Sequence, residues 1–514
     1  MATAFNAAEY LLLAGHPDAT AVVSPRRTLT YAELAEESRR VAGGLVELGV
    51  RPEERVMFCM VDDVELLTGI LGAMLAGAVA VPVSTMVTGL ELGKMLADSR
   101  ARLLCVSGEF AEQAVTALSF APEVTDVLLD RADADGFAVR THQWSDLAGS
   151  FRSGRTWEDS PALWLYTSGT TGQPKGAMHR HASIRAVCET YARGVLATTP
   201  ADRFLSVPKL FFAYGLGNSC FFPLGAGGTT LLEPSRPTPA LFARRAREEQ
   251  PSLFFAVPTF YAALLASDVP DDSFASVRHA VSAGEPLPAS LFERVKSRFG
   301  LEILDGIGST EALHIFLSNR PGAVRPGTTG VAVPGYSLQI RDEAGAVIDA
   351  AGKPGELFVA GPSTATGYWA RYDATKLVFQ GEWLRTGDSY VRNEDGTYTC
   401  LGRFGDMLKA GGIWVSPSEV EERLRQHPAV AEVAVVAAPD ADGLDKPVAC
   451  VVAAPGFPVD PDELIEFCRE GLAAFKRPRG VVELAELPKT ATGKIRRNVI
   501  REQVRDVLRV VPSP

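Results

Sequence analysis

Tyr166-Thr167-Ser168-Gly169-Thr170-Thr171-Gly172-Gln173-Pro174-Lys175-Gly176 decides how this chain is read. Glycines at 169, 172 and 176 are expected to allow φ > 0 and bring backbone N–H groups close to an anion. Thr167, Ser168, Thr170 and Thr171 add hydroxyl donors, and Lys175 adds a point charge suited to a polyphosphate. The preceding run Ala162-Leu163-Trp164-Leu165-Tyr166 is short and apolar, so it reads as a buried strand feeding the loop. A plain surface loop is the alternative. Lys175 follows Pro174 and precedes Gly176, so the P-loop pattern G-x-x-x-x-G-K-[ST] is not matched. Phosphate binding follows; the P-loop NTPase fold does not.

The rest of the chain supplies the setting. Its 514 residues exceed one ordinary core, which predicts two or more domains. A formal charge of -11 argues against general nucleic-acid affinity. Seven cysteines, at 59, 105, 188, 220, 400, 450 and 468, include no C-x-x-C pair, so neither a disulfide framework nor a zinc site is expected. The N-terminus lacks a basic region and a signal-peptide core, and a reducing cytoplasm is the expected location. Leu66 to Val83 is uncharged over a membrane-spanning length, but its small residues and its Val79-Ala80-Val81-Pro82-Val83 ending predict a buried helix and a core strand.

Tyr31 to Leu48 is spaced as an amphipathic helix with Thr30 as N-cap and Glu33 closing a capping box. Short apolar runs at Val56 to Met60, Leu103 to Ser107, Ala162 to Tyr166, Thr229 to Leu232 and Leu253 to Val257 predict strands of βα units with parallel sheets. From about Gly335 a more antiparallel texture begins, with strands at Leu338 to Arg341, Gly355 to Ala360 and Thr397 to Leu401. After Gly402 a helix at Pro417 to Gln426, strands at Val430 to Ala437 and Pro447 to Ala453, and a helix at Pro461 to Leu472 predict a small α+β domain. The fold class is therefore α/β: a large N-terminal domain of parallel-type sheets with helices plus a smaller β subdomain, then a small mobile α+β C-terminal domain.

Further motifs follow in order: Gly308-Ser309-Thr310-Glu311, Arg385-Thr386-Gly387-Asp388, Gly402-Arg403 and Pro488-Lys489-Thr490-Ala491-Thr492-Gly493-Lys494. With the Tyr166 to Gly176 loop, this set resembles the adenylate-forming superfamily of acyl- and aryl-CoA ligases, from about Phe5 to about Arg501. The resemblance implies residues 1–402 as an ATP- and acid-binding domain and 403–514 as a mobile domain, with a hinge near 403–406. It implies ATP, Mg²⁺ and coenzyme A, with a carboxylate converted first to acyl-AMP and then to a thioester.

Carried over residue by residue, Thr167 to Lys175 would hold the β- and γ-phosphates, with Thr170 catalytic, Glu311 would be catalytic and help hold Mg²⁺ near the reacting phosphate, and Thr310 would bind the nucleotide. Asp388 would accept hydrogen bonds from the ribose hydroxyls with Arg403 assisting, and Gly284-Glu285-Pro286 and Asp305-Gly306-Ile307 would border the adenine. From the residues alone, Asp388 reads equally as a turn residue and Glu311 as a helix N-terminal charge. Residues 476 to 501 carry eight Lys or Arg against two acidic residues, which alone reads as a solvated basic face. The resemblance singles out Lys494 as the cation at the carboxylate during adenylation. Lys409, Gly411 and Gly412 match the element approaching the thiol; a hairpin turn is the other reading.

Lys209 to Asn218 and Asp305 to Phe316 resemble benzoate-CoA ligases more than fatty-acyl or acetyl ligases. That likeness implies an acid pocket at Ala213, Tyr214, Gly308, His314 and Ile315 and an aryl or cyclic carboxylate; singly, His314, Phe211 and Phe212 read as core. Gly405 departs from the Asp or Lys usual at the hinge and leaves the balance of the two half-reactions open. Other readings are a ligase for a bulkier cyclic acid biased to thioester formation, a free-standing adenylation enzyme loading a carrier protein, and a nucleotide binder without turnover. The expected partners are the small carboxylic acid, ATP and CoA, without nucleic acid or membrane insertion and with a homodimer as an option.

Overall fold

Apolar strands that lack a polar face must be covered on both sides, and the large sheets of this chain meet that demand with helices. A computed structural model describes residues 4–149, 151, 153–168, 174–404, 408–410, 413–415, 417–439, 445–470, 472, 476–489 and 495–508. The fold is α/β, and the chain divides into two units: Met1–Leu338 with Val359–Arg385, and Gln339–Phe358 with Thr386–Pro514.

The first unit holds two large sheets. One runs in the order Arg140–Gln143, Asp126–Asp130, Leu103–Ser107, Arg55–Cys59, Val79–Pro82, Pro161–Ser168, Pro174–Arg180. It is parallel except for its last pair, which is antiparallel. The other orders Val331–Ala332, Ile315–Ser318, Ile303–Gly308, His279–Ser282, Leu253–Ala256, Arg203–Ser206, Thr229–Leu231, Thr20–Val23 and Thr28–Thr30, parallel at its centre and antiparallel at both edges. Thr30 caps the helix Tyr31–Glu47 in a complete capping box with Glu33, as expected from the sequence.

The uncharged stretch resolves into a buried helix, Val64–Leu75, and the core strand Val79–Pro82. No helix among the described residues is long and apolar enough to cross a membrane. Its packing explains the small residues: a side chain at Gly72 would meet Val41 Cγ1 at 2.7 Å, where this helix crosses Tyr31–Glu47.

In the second unit, the part of strand Trp383–Arg392 from Asp388 to Arg392 pairs antiparallel with Tyr398–Arg403. A three-stranded sheet of Val430–Pro439, Asp445–Ala453 and Gly480–Glu483 follows. Helix Pro417–Leu424 buries Val420 and Leu424 with Val433, Val435 and Val451, and helix Pro461–Arg469 adds Leu464 and Cys468 to the same core. Ile500 and Val504 of helix Arg497–Leu508 cover the residues of alternate parity, Ala434, Val436 and Cys450. The alternation of each strand thus gives two small cores, one per face.

Candidate active site

The strands that flank the glycine- and hydroxyl-rich segment, Pro161–Ser168 and Pro174–Arg180, pair antiparallel, with Thr167 opposite Lys175 and Ser168 opposite Pro174. A strand, not a helix, therefore follows the loop. Gly169, Thr170, Thr171 and Gly172 lie outside the described residues, as does the side chain of Ser168. Gly176 departs from expectation. It sits within a strand without positive φ, and a Cβ there would lie 3.5 Å from Tyr166 Cζ, an ordinary contact. Its cross-strand place opposite Tyr166 gives it no need of left-handed freedom.

The hairpin is fastened from both sides. Tyr166 Oη donates to Asp98 Oδ2 at 2.8 Å, Arg371 Nη2 to Asp98 Oδ1 at 2.5 Å, and Trp369 Nε1 to the Asp98 carbonyl at 2.9 Å. The Arg55 guanidinium lies 5.4 Å from the Trp164 ring and 5.5 Å from Trp369, a doubled cation–π contact. Residues 366–369 extend the sheet by main-chain bonds: Thr366 N to Met178 O at 2.9 Å, Met178 N to Gly367 O at 3.0 Å and Trp369 N to Gly176 O at 2.9 Å.

Thr310 and Glu311 occupy the turn between antiparallel strands Ile303–Gly308 and Ile315–Ser318. No helix begins there, which removes the reading of Glu311 as a helix N-terminal charge. Ala312 N donates to Ser309 Oγ at 3.1 Å and Leu313 N to Thr310 O at 3.2 Å. Buried Leu313 takes φ 68°, a left-handed conformation that costs a leucine about 1–3 kcal/mol and persists only where the surroundings over-determine it. They do so here. His179 Nε2 bonds the Thr310 carbonyl at 2.8 Å, Ser363 Oγ donates to Ala312 O at 2.5 Å, and Ala365 N donates to Glu311 O at 2.7 Å. Burial pushes His179 down to about 4, against the opposing pull of the Thr310 carbonyl, so the ring is neutral at pH 7.

The Glu311 carboxylate accepts a hydrogen bond from Tyr368 Oη at 2.6 Å through Oε1. Burial, then the neighbouring Glu311 charge, pushes the Tyr368 phenol far up, so it stays a donor. No group of three or more His, Cys, Asp or Glu able to hold a metal exists among the described residues. One carboxylate in a rigid turn nevertheless suits Mg²⁺, which keeps waters and binds through one or two carboxylates plus substrate phosphates.

Three residues beyond Glu311, His314 is buried in an aromatic cluster. Its ring centroid lies 4.4 Å from Phe222, 5.4 Å from Tyr191 and 5.5 Å from Tyr214. Asn218 Nδ2 donates to Ser206 Oγ at 3.3 Å, and Ser206 Oγ donates to the Pro208 carbonyl at 3.0 Å. That chain turns Asn218 Oδ1 toward His314 Nε2, 3.2 Å away, and so places the imidazole proton on Nε2. Nδ1 is left as a buried acceptor with no partner among the described residues. Burial pushes His314 down to about 3.

Two glycines make room for His314, Gly217 for its ring and Gly308 for its main chain. A Cβ at Gly217 would lie 2.2 Å from His314 Cδ2, and one at Gly308 would lie 2.5 Å from the His314 carbonyl oxygen. Tyr214 Oη donates to Val281 O at 3.2 Å, and Ala213 precedes it at the start of helix Ala213–Leu216. Ile315 is fully buried, and its Cγ2 would lie 2.9 Å from a Cβ at Gly306. The structure thus gathers Tyr214, Gly308 and His314 and adds Tyr191, Asn218 and Phe222.

The proposed adenine-side residues lie at the carboxyl ends of neighbouring parallel strands, the usual ligand-binding edge of such a sheet. Ser282 is in register with Asp305, so Gly284-Glu285-Pro286 leaves the sheet beside Asp305-Gly306-Ile307. Asp305 Oδ1 is buried without a partner among the described residues, and burial, against the Gly306 main-chain hydrogen bond to the carboxyl, holds it well above its ordinary range. In the second unit Asp388 lies in a strand, after Gly387 at φ +74° and in register with Arg403. The side chains of Arg403 and Lys409 and the residues Gly405, Gly411, Gly412 and Lys494 lie outside the described residues.

The AMP-binding enzyme model matches residues 12–369, and the AMP-binding enzyme C-terminal domain model matches residues 419–494. The chain belongs to the AMP-binding enzyme family, the adenylate-forming enzymes that the motif order suggested. Within that family it is 43% identical to the benzoate–CoA ligase of Thauera aromatica, over 97% of this chain and 96% of that one. A crystal structure of a benzoate CoA ligase from Burkholderia xenovorans matches with a TM-score of 0.87 at 42% identity, covering 97% of this chain and 100% of that one. An anthranilate CoA ligase in complex with anthranoyl-AMP matches with a TM-score of 0.92 at 35% identity, covering 99% of both chains.

Proposed function

We propose that this protein is an ATP-dependent ligase that joins a small aryl carboxylic acid to coenzyme A. The carboxylate oxygen attacks the α-phosphorus of ATP, giving acyl-AMP and pyrophosphate. The CoA sulfur then attacks the acyl carbon, and AMP leaves with the mixed-anhydride oxygen. The observation that carries this reading is the single turn from Ser309 to His314. It presents Glu311, tied through Tyr368 to the phosphate hairpin, three residues from an imidazole set among Tyr191, Tyr214 and Phe222. Nucleotide chemistry and an aromatic wall share one rigid element. The 43% and 42% identities to benzoate CoA ligases support benzoate-like acids first.

In this reading Thr167 to Lys175 grips the β- and γ-phosphates, with Thr170 among the reacting groups, and Asp388 receives the ribose with Arg403. Gly284 to Pro286 and Asp305 to Ile307 border the adenine, and Lys409, Gly411 and Gly412 meet the thiol. Glu311 would hold Mg²⁺, which when bound would supply positive charge to offset the phosphates. Lys494 offsets charge at the carboxylate as the acyl phosphate forms. Residues 1–402 and 403–514 act as two domains turning near 403–406, where Gly405 permits the rotation. All seven cysteines are free thiols, which suits the reducing cytoplasm proposed as its location. A homodimer is part of the same proposal and is read by sedimentation equilibrium.

Lys494→Ala tests the central assignment. Pyrophosphate release with benzoate should fall by at least 100-fold, while thioester formation from synthetic benzoyl-AMP and CoA continues. Unchanged pyrophosphate release removes Lys494 from adenylation, and no response to any aryl acid in a carboxylate panel removes the substrate class.

A further inference from the structure

Tyr368 touches both charged groups of the phosphate side. Its hydroxyl donates to Glu311 Oε1 at 2.6 Å, and the Lys175 ammonium lies 5.5 Å from its ring centroid. The side chain is 7% exposed, packs edge-on against Phe379 at 5.4 Å, and its own N–H donates to Thr375 Oγ1 at 3.0 Å. Its backbone bridges Ala177 on the strand that carries Lys175.

We propose that Tyr368 is a positioning residue that keeps Glu311 and Lys175 apart and ready for a metal-bound nucleotide. This inference rests on the reading of Glu311 as the metal carboxylate. The hydroxyl occupies one carboxylate oxygen and fixes the side chain, which leaves the other oxygen for a hard cation. The ring face gives the ammonium a resting place that is not the carboxylate. Among the described residues Lys175 and Glu311 each meet Tyr368, the ammonium at the ring and the carboxylate at the hydroxyl, and no ion pair joins the two directly. Tyr368 thus prevents a self-inhibited state in which neither group is open to the nucleotide.

Two substitutions separate the two contacts. Tyr368→Phe keeps the ring and removes the donor; Tyr368→Leu removes both. Isothermal titration of the full chain is performed with ATP in excess Mg²⁺ and with ATP in EDTA, without acid, so the metal-dependent gain in affinity is read apart from turnover. Tyr368→Phe should weaken Mg²⁺-ATP binding about tenfold and leave metal-free ATP within twofold. Tyr368→Leu should weaken both, because Lys175 then falls onto Glu311. Glu311→Gln should erase the metal-dependent gain. If Glu311→Gln retains that gain, the metal-carboxylate reading fails and the inference with it. If Glu311→Gln loses the gain but Tyr368→Phe matches the parent, that reading stands and the role of Tyr368 is overturned. Equal metal-free affinities for Tyr368→Phe and Tyr368→Leu, with both proteins folded by circular dichroism, overturn the part assigned to the ring.

Discussion

Replacing Gly217 by alanine is the sharpest test of the aromatic cluster, because the added atom meets one ring. The new Cβ would stand 2.2 Å from His314 Cδ2 and 2.6 Å from Nε2, against an ordinary contact of about 3.5 Å. The ring must retreat by more than about 1 Å, and it is already hemmed in by Phe222, Tyr191 and Tyr214. Overpacking of this kind costs about 1–3 kcal/mol, and breaking the Nε2–Asn218 hydrogen bond adds about 1 kcal/mol. A loss of about 2–4 kcal/mol is expected in urea unfolding followed by tryptophan fluorescence. Gly176→Ala is the matched control: its nearest neighbour would be 3.5 Å away and its φ is not positive, so a change below about 0.5 kcal/mol is expected. In pyrophosphate-release assays Gly217→Ala should raise the KM for benzoate by about tenfold or more and leave the KM for ATP within about twofold. If Gly217→Ala binds the acid and resists urea as the parent does, the His314 ring is not where the acid is recognised.

Two further outcomes concern pH. His179 and His181 are pushed down to about 4, and His314 to about 3, mainly by burial, whereas an unfolded histidine titrates near 6.5. The unfolded chain therefore takes up protons first, and the stability present above pH 6.5 is lost as pH falls toward 4. At pH 5 each such histidine should cost about 2 kcal/mol, read as a falling urea midpoint between pH 7.5 and 5 that His181→Asn partly flattens. Asp305 runs the other way. Its folded pKa is raised by burial, so its contribution falls as pH rises above about 4, and Asp305→Asn should be neutral or stabilising at pH 7. A marked loss of stability in Asp305→Asn at pH 7 would show that the carboxylate is charged and partnered.

Local signals carried far in the sequence, and long-range partners did not. Strand Leu103–Ser107, the capping box at Thr30 and the split of the uncharged Leu66 to Val83 stretch are set by neighbours a few residues apart, and the structure places them as expected. The antiparallel return after the phosphate loop was missed because Pro174, Lys175 and Gly176 give no strand pattern; their pairing depends on Tyr166 and on residues 366–369. Tyr368 and Asp98 escaped for the same reason. Tyr368 acts on a residue 57 positions away, and Asp98 is 68 residues from Tyr166 and 273 from Arg371. Asn218 stood inside a quoted motif, yet only the Ser206–Asn218–His314 chain gives it a role.

The turn at Ser309 to His314 also constrains how the two recognition tasks can vary. Its carbonyls at Thr310, Glu311 and Ala312 are tied to two other segments, through His179 on one and through Ala365 and Ser363 on the other. Leu313 is held at positive φ between them. A backbone shift that enlarged the acid site from this side would carry Glu311 with it, since only Ala312 and Leu313 separate Glu311 from His314. The other wall is held through side chains rather than through its own main chain. Ala213 and Tyr214 sit on a four-residue helix where the Tyr214 hydroxyl reaches the Val281 and Ala256 carbonyls at 3.2 and 3.4 Å, and Asn218 just beyond it donates to Ser206 Oγ at 3.3 Å. If Ala213 lines the acid site as proposed, change there is expected to alter the fit of an acid while Glu311 stays in place. In the proposed reading, residues 308–315 couple the acid to the nucleotide, and Ala213 is the position where discrimination among acids is expected to vary.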